Sequence, residues 1–299
     1  MNWPDAEISI DAALVDHLVR SQHADLASEE IREVAVGFDN SIWRLGADLV
    51  VRLPRRTVAA RLIANELKWL PDLSPRLPLR TPTPVRAGHA DEIYPWPWAI
   101  SRWIDGVAGN EALFDTNGGG AEILGLFLRS LHQTAPPDAP VNEFRSVALR
   151  RHVPSYSQRI ERLGDAIDAN AVSKILRRAI EAPAWLGDPQ WIHGDLHPAN
   201  TIYRDGRLVG VVDFGDLCAG DPATDLAGAF MSLPLSALPT FFRAYGPVDD
   251  ATIARTRGWA VHFGLMFMML GVRDEPTYAP IGARALDNAR RFAGFESST

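Results

Sequence analysis

Cysteine is almost absent from this sequence, in which Cys218 is the only one among 299 residues. A single cysteine excludes an intrachain disulfide, so the fold depends on its apolar core, and a reducing compartment such as the cytoplasm is expected. We interpret Cys218 as a small buried apolar residue rather than a catalytic thiol. Residues 1–11 carry three acids and lack the basic and apolar regions of a secretory signal, which favours the same compartment.

Lysine is scarce as well, and long apolar runs are missing. Lys68 and Lys174 are the only lysines among 30 basic residues, and the formal net charge is −7. This acidic balance disfavours nonspecific nucleic-acid binding and permits a cationic or neutral substrate. The most apolar run, residues 260–272, is far shorter than the roughly 20 residues that a membrane span requires. We expect neither nucleic acid nor membrane as a partner, and the oligomeric state, monomer or dimer, stays open.

The apolar residues that are present follow strand patterns in the first third of the chain. A content of 46% hydrophobic and 22% charged residues is typical of a globular protein, with length for one large domain or two lobes. Segments 31–36, 41–45 and 49–53 are short and separated by turn residues, which predicts an antiparallel meander. A further strand is expected over residues 98–104. The proline-rich stretch 74–97 is expected to be extended loop.

Helical periodicity dominates the rest of the chain. We therefore predict an α+β protein with a small N-terminal sheet unit, residues 1–104, and a mostly helical C-terminal unit, residues 105–299. Helices are expected over residues 12–23 with Asp11 as the cap, 57–70 with Pro71 ending the helix, 121–133, 154–169, 171–182, 222–231, 235–245, 249–270 and 279–292.

One carboxylate interrupts the apolar stripe of the second predicted helix. Glu66 lies three residues after Ile63 and four before Leu70, on the same helix face. A buried carboxylate needs a partner, and Arg52, at the end of an apolar strand, is the nearest candidate in sequence. Such a pair can hold an arginine that contacts phosphate oxygens. The alternative is that Glu66 lies at the edge of the stripe and reaches water.

A hairpin is predicted later in the chain. Asp205 and Gly206 supply a two-residue turn between two apolar runs. Counting back from the turn places Asn200 opposite Val211, with Asp213 just beyond. An amide and a carboxylate that meet there, beside a loop with a further carboxylate, are the oxygen ligands that Mg²⁺ prefers.

Two motifs flank this hairpin. Asp195 and Asn200 have the D-x-x-x-x-N spacing of the protein-kinase catalytic loop, and Asp213-Phe214-Gly215 is the D-F-G element. Phosphoryl transfer needs one carboxylate to orient a hydroxyl and oxygen ligands that hold Mg²⁺ on the nucleotide phosphates. Both motifs, in this order on the two arms of one hairpin, indicate a phosphotransferase.

Around these motifs the chain resembles the aminoglycoside phosphotransferase family, which consists of small-molecule kinases with a protein-kinase-like two-lobe fold. The resemblance includes residues 51–56, 94–98, 101–106 and 193–225. It implies ATP or GTP as the donor, Mg²⁺ as the cofactor, a nucleotide-binding N-terminal lobe and a catalytic, acceptor-binding C-terminal lobe. For the C-terminal lobe the resemblance implies that Asp195 is the catalytic base, that Asn200 and Asp213 are Mg²⁺ ligands, and that His193 and Asp225 support the loop. For the N-terminal lobe it implies that Arg52, with its partner Glu66, takes the place of the phosphate-binding lysine. It further implies that the backbone of Ser101, Trp103 and Ile104 lies against the nucleotide.

The sequence departs from protein kinases in ways that narrow the acceptor. Gly194 replaces the arginine of H-R-D, so the loop has no cation to receive an activation-loop phosphate. Eleven residues separate Asp213 from Asp225 without an A-P-E element, so the peptide-docking segment is missing. A small hydroxylated acceptor fits better. The loop after residue 36 is not G-x-G-x-x-G, and phosphate contacts are assigned there to Ser41 and nearby backbone N–H groups. Arg52 keeps the charge of the usual lysine with a different geometry.

The acceptor itself stays open at this stage. Asp216, Asp221, Asp274 and Glu275 are candidates to receive a cationic aminoglycoside, whereas the Trp and Met content suits an apolar acceptor equally well. A kinase of another alcohol, such as a macrolide, choline, homoserine or fructosamine, and a non-catalytic pseudokinase are the alternatives. Antibiotic resistance and a housekeeping reaction are both open. His197 has no second ligand at zinc spacing, so no zinc site is expected.

Overall fold

The computed structural model describes residues 5–110, 120–273 and 276–292. Contacts divide the chain into two compact units. Unit 1 comprises Met1–Pro75, Arg80–Asp105 and Val212–Gly215, and unit 2 comprises Arg76–Leu79, Gly106–Val211 and Asp216–Thr299. Unit 1 therefore includes a short segment from the middle of the chain. The functional division that was predicted at residue 104 stays a prediction.

Unit 1 contains an antiparallel sheet of five strands in the order β1-β2-β3-β5-β4. The predicted meander is confirmed in its first three strands. The proline-rich stretch, expected to be loop, contributes β4, an edge strand that begins at a proline, where a missing N–H is tolerated. The strands are β1 Ile31–Val36, β2 Asn40–Leu45, β3 Leu49–Pro54, β4 Pro84–Gly88 and β5 Trp98–Arg102.

Two helices accompany this sheet. Helix α1, Ala12–Gln22, begins after Asp11, whose carboxylate accepts from the Leu14 N–H at 2.9 Å, as predicted. Helix α2, Thr57–Leu73, continues through Pro71, so the prediction that proline ends it is wrong. Because Pro71 lies in the last turn, its missing N–H removes a single bond, and the Ser74 N–H still closes that turn.

The burial of β3 on both faces explains why a charged side chain lies inside unit 1. Val51 and Leu53 belong to a buried cluster that includes Val15 and Leu18 of α1. Because side chains alternate along a strand, Arg52 faces the other way, and α2 contacts β3 and β5. Strand β3 thus presents apolar groups on one face and a buried cation on the other.

Unit 2 is mostly helical, as predicted. The predicted helix 154–169 ends early at Leu163, because Gly164 takes a φ of 47° and residues 164–166 form a 3₁₀ turn. Among the described residues, no helix is both long and apolar enough to cross a membrane. The helices are α3 Ala121–Leu131, α4 Val153–Leu163, α5 Ala169–Glu181, α6 Ala223–Ser232, α7 Leu238–Tyr245, α8 Asp250–Arg273 and α9 Ala279–Arg291.

The described residues of unit 2 also form two small sheets. The first has the order β6-β8-β9, with β6 Val107–Ala108, β8 Thr201–Arg204 and β9 Arg207–Val211. The second pairs β7, Gln190–Ile192, with β10, Cys218–Gly220. Cys218 is 1% exposed, and burial raises the pKa of its thiol to about 12, so its interpretation as a buried apolar residue is confirmed.

The hairpin of β8 and β9 has the predicted turn but not the predicted register. Asp205 and Gly206 have φ values of 51° and 72°, as a two-residue turn of the primed type requires. A bulge follows Ile202, so Thr201 rather than Asn200 lies opposite Val211. The predicted pairing of Asn200 is therefore wrong, because one unmatched residue in β9 shifts the ladder.

Candidate active site

The loop between β7 and β8 holds Asp195 with three neighbouring side chains. Arg145 Nη2 lies 3.2 Å from Asp195 Oδ1, and His197 Nε2 lies 3.3 Å from Oδ2. Asn200 Nδ2 donates to the Asp195 carbonyl at 2.9 Å and lies 3.3 Å from Oδ2. The Asp195 side chain is nevertheless 25% exposed. The loop thus orients a carboxylate that a ligand can still reach.

The same neighbours set the charge of Asp195. Burial alone would raise the pKa of this carboxyl, but His197, Arg145 and His193 together hold the pKa below its ordinary value. Asp195 is therefore ionised at neutral pH. An ionised carboxylate can accept a hydrogen bond from a hydroxyl and orient its oxygen.

Asp225, in the first turn of α6, fixes the backbone of this loop. Its Oδ2 accepts from the His193 N–H at 2.6 Å, and its Oδ1 accepts from the Gly194 N–H at 2.8 Å. The His193 ring is fully buried, and its Nδ1 accepts from the Asp195 N–H at 3.2 Å. These hydrogen bonds restrict the backbone conformation of the segment that carries Asp195. Asp225 and His193 therefore support the loop.

A histidine and a tyrosine that sequence reasoning missed complete this network. His132 Nε2 lies 3.2 Å from Asp225 Oδ2, and its Nδ1 lies 2.9 Å from the Tyr245 hydroxyl. Burial raises the pKa of Tyr245, so it remains a neutral phenol. His132 follows the last turn of α3 and Tyr245 is the last residue of α7, and a polar residue at a helix end carries no sequence signal of its partner.

Gly194 is required by its surroundings. Its φ is 83°, in the left-handed region. A Cβ atom there would lie 2.7 Å from the backbone oxygen of Asp216. Both facts explain why the arginine of H-R-D is not accommodated at this position in this chain.

Arg145, which was not among the residues predicted for the site, is positioned by a turn that Asn142 caps. The Asn142 side-chain oxygen accepts from the N–H groups of Phe144 at 2.8 Å and Arg145 at 3.1 Å. The guanidinium then lies 5.1 Å from the Phe263 ring centre and reaches Asp195. An Asn two to three residues before the bonded N–H groups is a recognisable local signal for the turn, but not for the contact with Asp195.

A pocket of about 460 Å³ in unit 2 adjoins this arginine. Arg145 both lines the pocket and contacts Asp195, so the pocket lies one side chain from the proposed base. Cations, aromatic rings and a thioether surround it. The described lining residues are Asn142, Phe144, Arg145, Arg151, His152, Pro154, Ser155, Arg159, Asp216, His262 and Met266.

Two of the acidic residues proposed for a cationic acceptor, Asp216 and Asp221, have other partners. Asp216 lines the pocket, accepts from Asn142 Nδ2 at 2.7 Å and lies 4.0 Å from Arg145. Asp221 accepts from the Ala223 N–H at the start of α6 at 3.0 Å and pairs with Arg255 at 2.6 Å. Asp274 and Glu275 lie outside the described residues.

Unit 1 contains the predicted ion pair. Arg52 Nη1 lies 2.5 Å from Glu66 Oε2, with the side chains 9% and 1% exposed. Arg52 Nη2 lies 3.5 Å from Oδ1 of Asp213, a residue with a φ of 63° and a half-exposed side chain. Burial alone would lower the pKa of Arg52, but Glu66 and Asp213 outweigh it and raise the pKa. Glu66 therefore lies in the core with its partner and not at the edge of the stripe.

Three of the remaining predicted residues of unit 1, Ser41, Ser101 and Ile104, are buried, and Trp103 is partly exposed. Ser41 accepts from Trp43 Nε1 at 2.8 Å, and Ser101 donates to the Pro82 carbonyl at 2.8 Å. Trp103 donates its backbone N–H to the Asp48 carbonyl at 2.8 Å, and Ile104 is 8% exposed. The hydroxyls of both serines already have protein partners, as does the backbone N–H of Trp103.

Asn200 in unit 2 and Asp213 in unit 1 each carry an oxygen of the type that magnesium binds. Asn200 uses its nitrogen toward Asp195, which turns its oxygen away from that residue, and Asp213 offers a half-exposed carboxylate. Amide and carboxylate oxygens are hard ligands, and Mg²⁺ is commonly held by one or two protein groups together with substrate phosphates. Within the described part of the chain, no cluster of three His, Cys, Asp or Glu residues has metal-site geometry.

Comparison with known proteins relates these residues to a family. Residues 30–259 match the family described as phosphotransferase enzyme family. A search of curated proteins gives no match. The GDP complex of wild-type aminoglycoside 2'-phosphotransferase-IIIa is 21% identical, with 94% of this chain and 99% of that chain covered and a TM-score of 0.68.

Two further solved structures have the same fold at similar identity. The apoenzyme of macrolide 2'-phosphotransferase MphH from Brachybacterium faecium is 20% identical, with coverage of 93% and 98% and a TM-score of 0.62. The ADP-bound aminoglycoside phosphotransferase APH(2'')-Ib is 18% identical, with coverage of 96% and 100% and a TM-score of 0.54. These likenesses confirm the predicted fold class.

Proposed function

Because the chain belongs to the phosphotransferase enzyme family, we propose that it works as a small-molecule kinase that moves the γ-phosphate of ATP or GTP to a hydroxyl group. The observation that carries the proposal is the environment of Asp195. Arg145, His197 and Asn200 orient its carboxylate, Asp225 braces its loop, and a quarter of the side chain remains exposed. An acceptor hydroxyl that donates to this carboxylate is held with its oxygen ready to attack phosphorus.

In this proposal unit 1 binds the donor. Arg52, fixed by Glu66, contacts phosphate oxygens, and backbone groups near Ser41, Ser101, Trp103 and Ile104 contact the nucleotide. The GDP and ADP complexes of the solved relatives support a purine nucleotide as donor. Arg52 is buried, and its Nη1 atom is held by Glu66 at 2.5 Å, whereas Nη2 lies 3.5 Å from Asp213. In this proposal Nη2, the less tightly held nitrogen, is therefore the atom that contacts phosphate.

Asn200 and Asp213 would hold magnesium, which supplies positive charge that offsets the charge on the transferring phosphoryl group. Their oxygens are the ligand type that supports this assignment. His193 and Asp225 act through the loop backbone and are positioning residues. The acceptor is a small alcohol, and the relatives named for aminoglycosides and macrolides make such antibiotics candidates. The cytoplasm is the proposed compartment, and the acceptor panel described next distinguishes an antibiotic, which would imply resistance, from another small alcohol.

Asp195→Asn tests the proposal. The amide keeps the shape but cannot accept the hydroxyl proton, so we expect kcat to fall roughly 10²- to 10⁴-fold. The measurement is coupled nucleotide turnover over a panel of aminoglycosides, macrolides and amino alcohols, each with MgATP and MgGTP. Asp188→Asn, an exposed aspartate before β7, is the matched control and should leave turnover unchanged.

The rival is a nucleotide-binding protein without transfer activity, which the altered glycine loop and Arg52 motivate. Calorimetry with MgADP separates the two. Binding without turnover of any acceptor, together with identical behaviour of Asp195→Asn and the wild type, would support the rival. An active wild type and an inactive variant that binds MgADP equally well would exclude it.

A further inference from the structure

The pocket beside Asp195 carries an excess of positive charge. Arg145, Arg151 and Arg159 line it, and Asp216 is the one carboxylate among its described lining residues. Asp216 is already engaged by Asn142 at 2.7 Å and lies 4.0 Å from Arg145. The other carboxylate that Arg145 contacts is that of Asp195, at 3.2 Å. The pocket therefore offers an incoming ligand more cationic groups than anionic ones.

Arg159 lacks a carboxylate partner within the part of the chain that the structure describes. Its Nη1 atom is buried without a hydrogen-bond partner there, and so is Nε of Arg145. Burial lowers the pKa of Arg159, and the neighbouring Tyr156 offsets this lowering only in part. Leaving buried guanidinium N–H groups unpaired is unfavourable, and a bound anion is the ligand that would satisfy them.

The two histidines in the pocket add apolar surface rather than charge. His152 donates from Nε2 to the Phe144 carbonyl at 3.1 Å, and His262 Nδ1 lies 3.2 Å from the Tyr156 hydroxyl. Burial lowers the pKa of both rings, and the neighbouring arginines, Arg159 among them, lower it further. Their ring centres are 4.3 Å apart. Uncharged rings beside a set of guanidinium groups suit a ligand with a flat apolar part and a negative charge.

We propose that the acceptor is an anionic alcohol, in which an apolar frame joins the reacting hydroxyl to a carboxylate, sulfate or phosphate group that Arg159 binds. This inference rests on the proposed function and names the substrate class of the same site. Arg145 lines the pocket and contacts Asp195, so the pocket that would hold the anionic group adjoins the proposed base. A polycationic aminoglycoside would meet three arginines and a carboxylate that is already engaged.

Two matched series of probes test the charge preference. Hydroxymethylbenzoate, benzenedimethanol and aminomethylbenzyl alcohol share a ring and a hydroxyl but differ in charge; glycerate, glycerol and serinol form the aliphatic series. We expect the nucleotide-free protein to be stabilised against heat by the anionic members, and these members to have the highest kcat/KM with MgATP. The preference should weaken as salt is added, because charge contacts at an open pocket are screened.

Arg159→Gln isolates the residue. We expect it to raise KM for the anionic probes roughly 10- to 100-fold, with kcat and the neutral probes unaffected, since one charged hydrogen-bonded contact is lost. Arg159→Lys should restore part of the affinity. Arg177→Gln, at an exposed arginine on α5, is the control and should change nothing. Binding of MgADP to Arg159→Gln should equal that of the wild type.

The outcomes distinguish a failure of this inference from a failure of the proposed function on which it rests. Turnover of cationic or neutral alcohols in preference to anionic ones would overturn the inference and leave the kinase function standing. Weaker MgADP binding by Arg159→Gln would also overturn it, because the arginine would then bind the donor. If the wild type phosphorylates no acceptor, the proposed function fails. The heat-stabilisation series still decides the charge preference, and equal or absent stabilisation by the anionic members contradicts it.

Discussion

At the proposed site of each unit an arginine approaches a carboxylate closely, and the Arg52–Glu66 and Arg145–Asp195 pairs differ in distance and in exposure to solvent. In unit 1, Arg52 and Glu66 approach to 2.5 Å, with side chains 9% and 1% exposed. In unit 2, Arg145 and Asp195 lie 3.2 Å apart, with side chains 13% and 25% exposed. The first, closed pair joins a strand to a helix, whereas the second, open pair leaves a carboxylate oxygen within reach of a ligand.

The physical consequence concerns what happens when a partner is removed. A charge left alone in a buried site loses its compensation and keeps its desolvation penalty, whereas water screens a charge at a partly exposed site. The closed pair should therefore matter chiefly for stability and the open pair chiefly for chemistry. The following substitutions test this contrast, beginning with the largest expected effect.

Glu66→Ala opens the closed pair. It leaves the Arg52 guanidinium buried without its main counter-charge, so we expect the free energy of unfolding to fall by about 3–5 kcal/mol. Urea denaturation followed by circular dichroism measures it. Asp72→Asn, at an exposed carboxylate of the same helix, is the control and should leave the midpoint unchanged. A loss below about 1 kcal/mol for Glu66→Ala would contradict the contrast.

Arg52→Lys tests how much of the pair depends on the fork of the guanidinium. One ammonium group can retain Glu66 but cannot also reach Asp213 from a second nitrogen, so we expect a smaller loss of about 1–2 kcal/mol. The same urea titration applies, with MgADP calorimetry as a second readout. A stability equal to that of the wild type would show that the second contact contributes nothing.

Arg145→Met opens the second pair while keeping apolar contact with Phe263. Loss of this cation should raise the pKa of Asp195, which burial already pushes upward. The wild-type pKa lies below the ordinary value, so the stability contributed by Asp195 is present above pH about 3.9 and is lost as the pH falls below it. In the variant this contribution to stability should shrink, and the acid limb of the kcat/KM profile should move to higher pH. The measurement is the pH profile of kcat/KM for the wild type, Arg145→Met and the control Arg177→Met. If the acid limbs of the wild type and Arg145→Met coincide, Arg145 does not lower the pKa of Asp195.

Asp16→Asn removes a pair that is exposed on both sides, Asp16 with Arg20 on α1, whose side chains are 43% and 57% exposed. Because water and salt screen such a pair, we expect no measurable change in the urea midpoint. This variant sets the lower end of the scale. A shift as large as that of Arg52→Lys would show that distance alone, without burial, determines the contribution of a pair.

The closed pair was predictable from the sequence and the open one was not. Glu66 interrupts an apolar stripe of helical period, and Arg52 lies at the end of the neighbouring apolar strand. Both patterns predict that these side chains face the core. Arg145 lies in a loop without periodicity, 50 residues from Asp195. The sequence could locate the turn around Arg145 through Asn142, but not its partner, because a loop's path depends on the packing of distant elements.

The hairpin shows a similar limit. Its turn was predictable, because Asp205 and Gly206 adopt positive φ at low cost. The bulge after Ile202 was not, since one unpaired residue depends on how the ladder packs rather than on composition. Catalytic assignments from the order of Asp195 and Asn200 do not depend on the register, so they stand as proposals despite that error.

The short segment Val212–Gly215 has a practical consequence for dissecting the protein. The chain passes from unit 2 into unit 1 for four residues and then returns, and Asp213 lies 3.5 Å from Arg52. A fragment that ends at Asp105 therefore omits a piece of unit 1. Exchange of unit 1 with that of a relative requires two cuts around this segment as well as the one after Asp105, or the transplanted arginine will lack its second carboxylate.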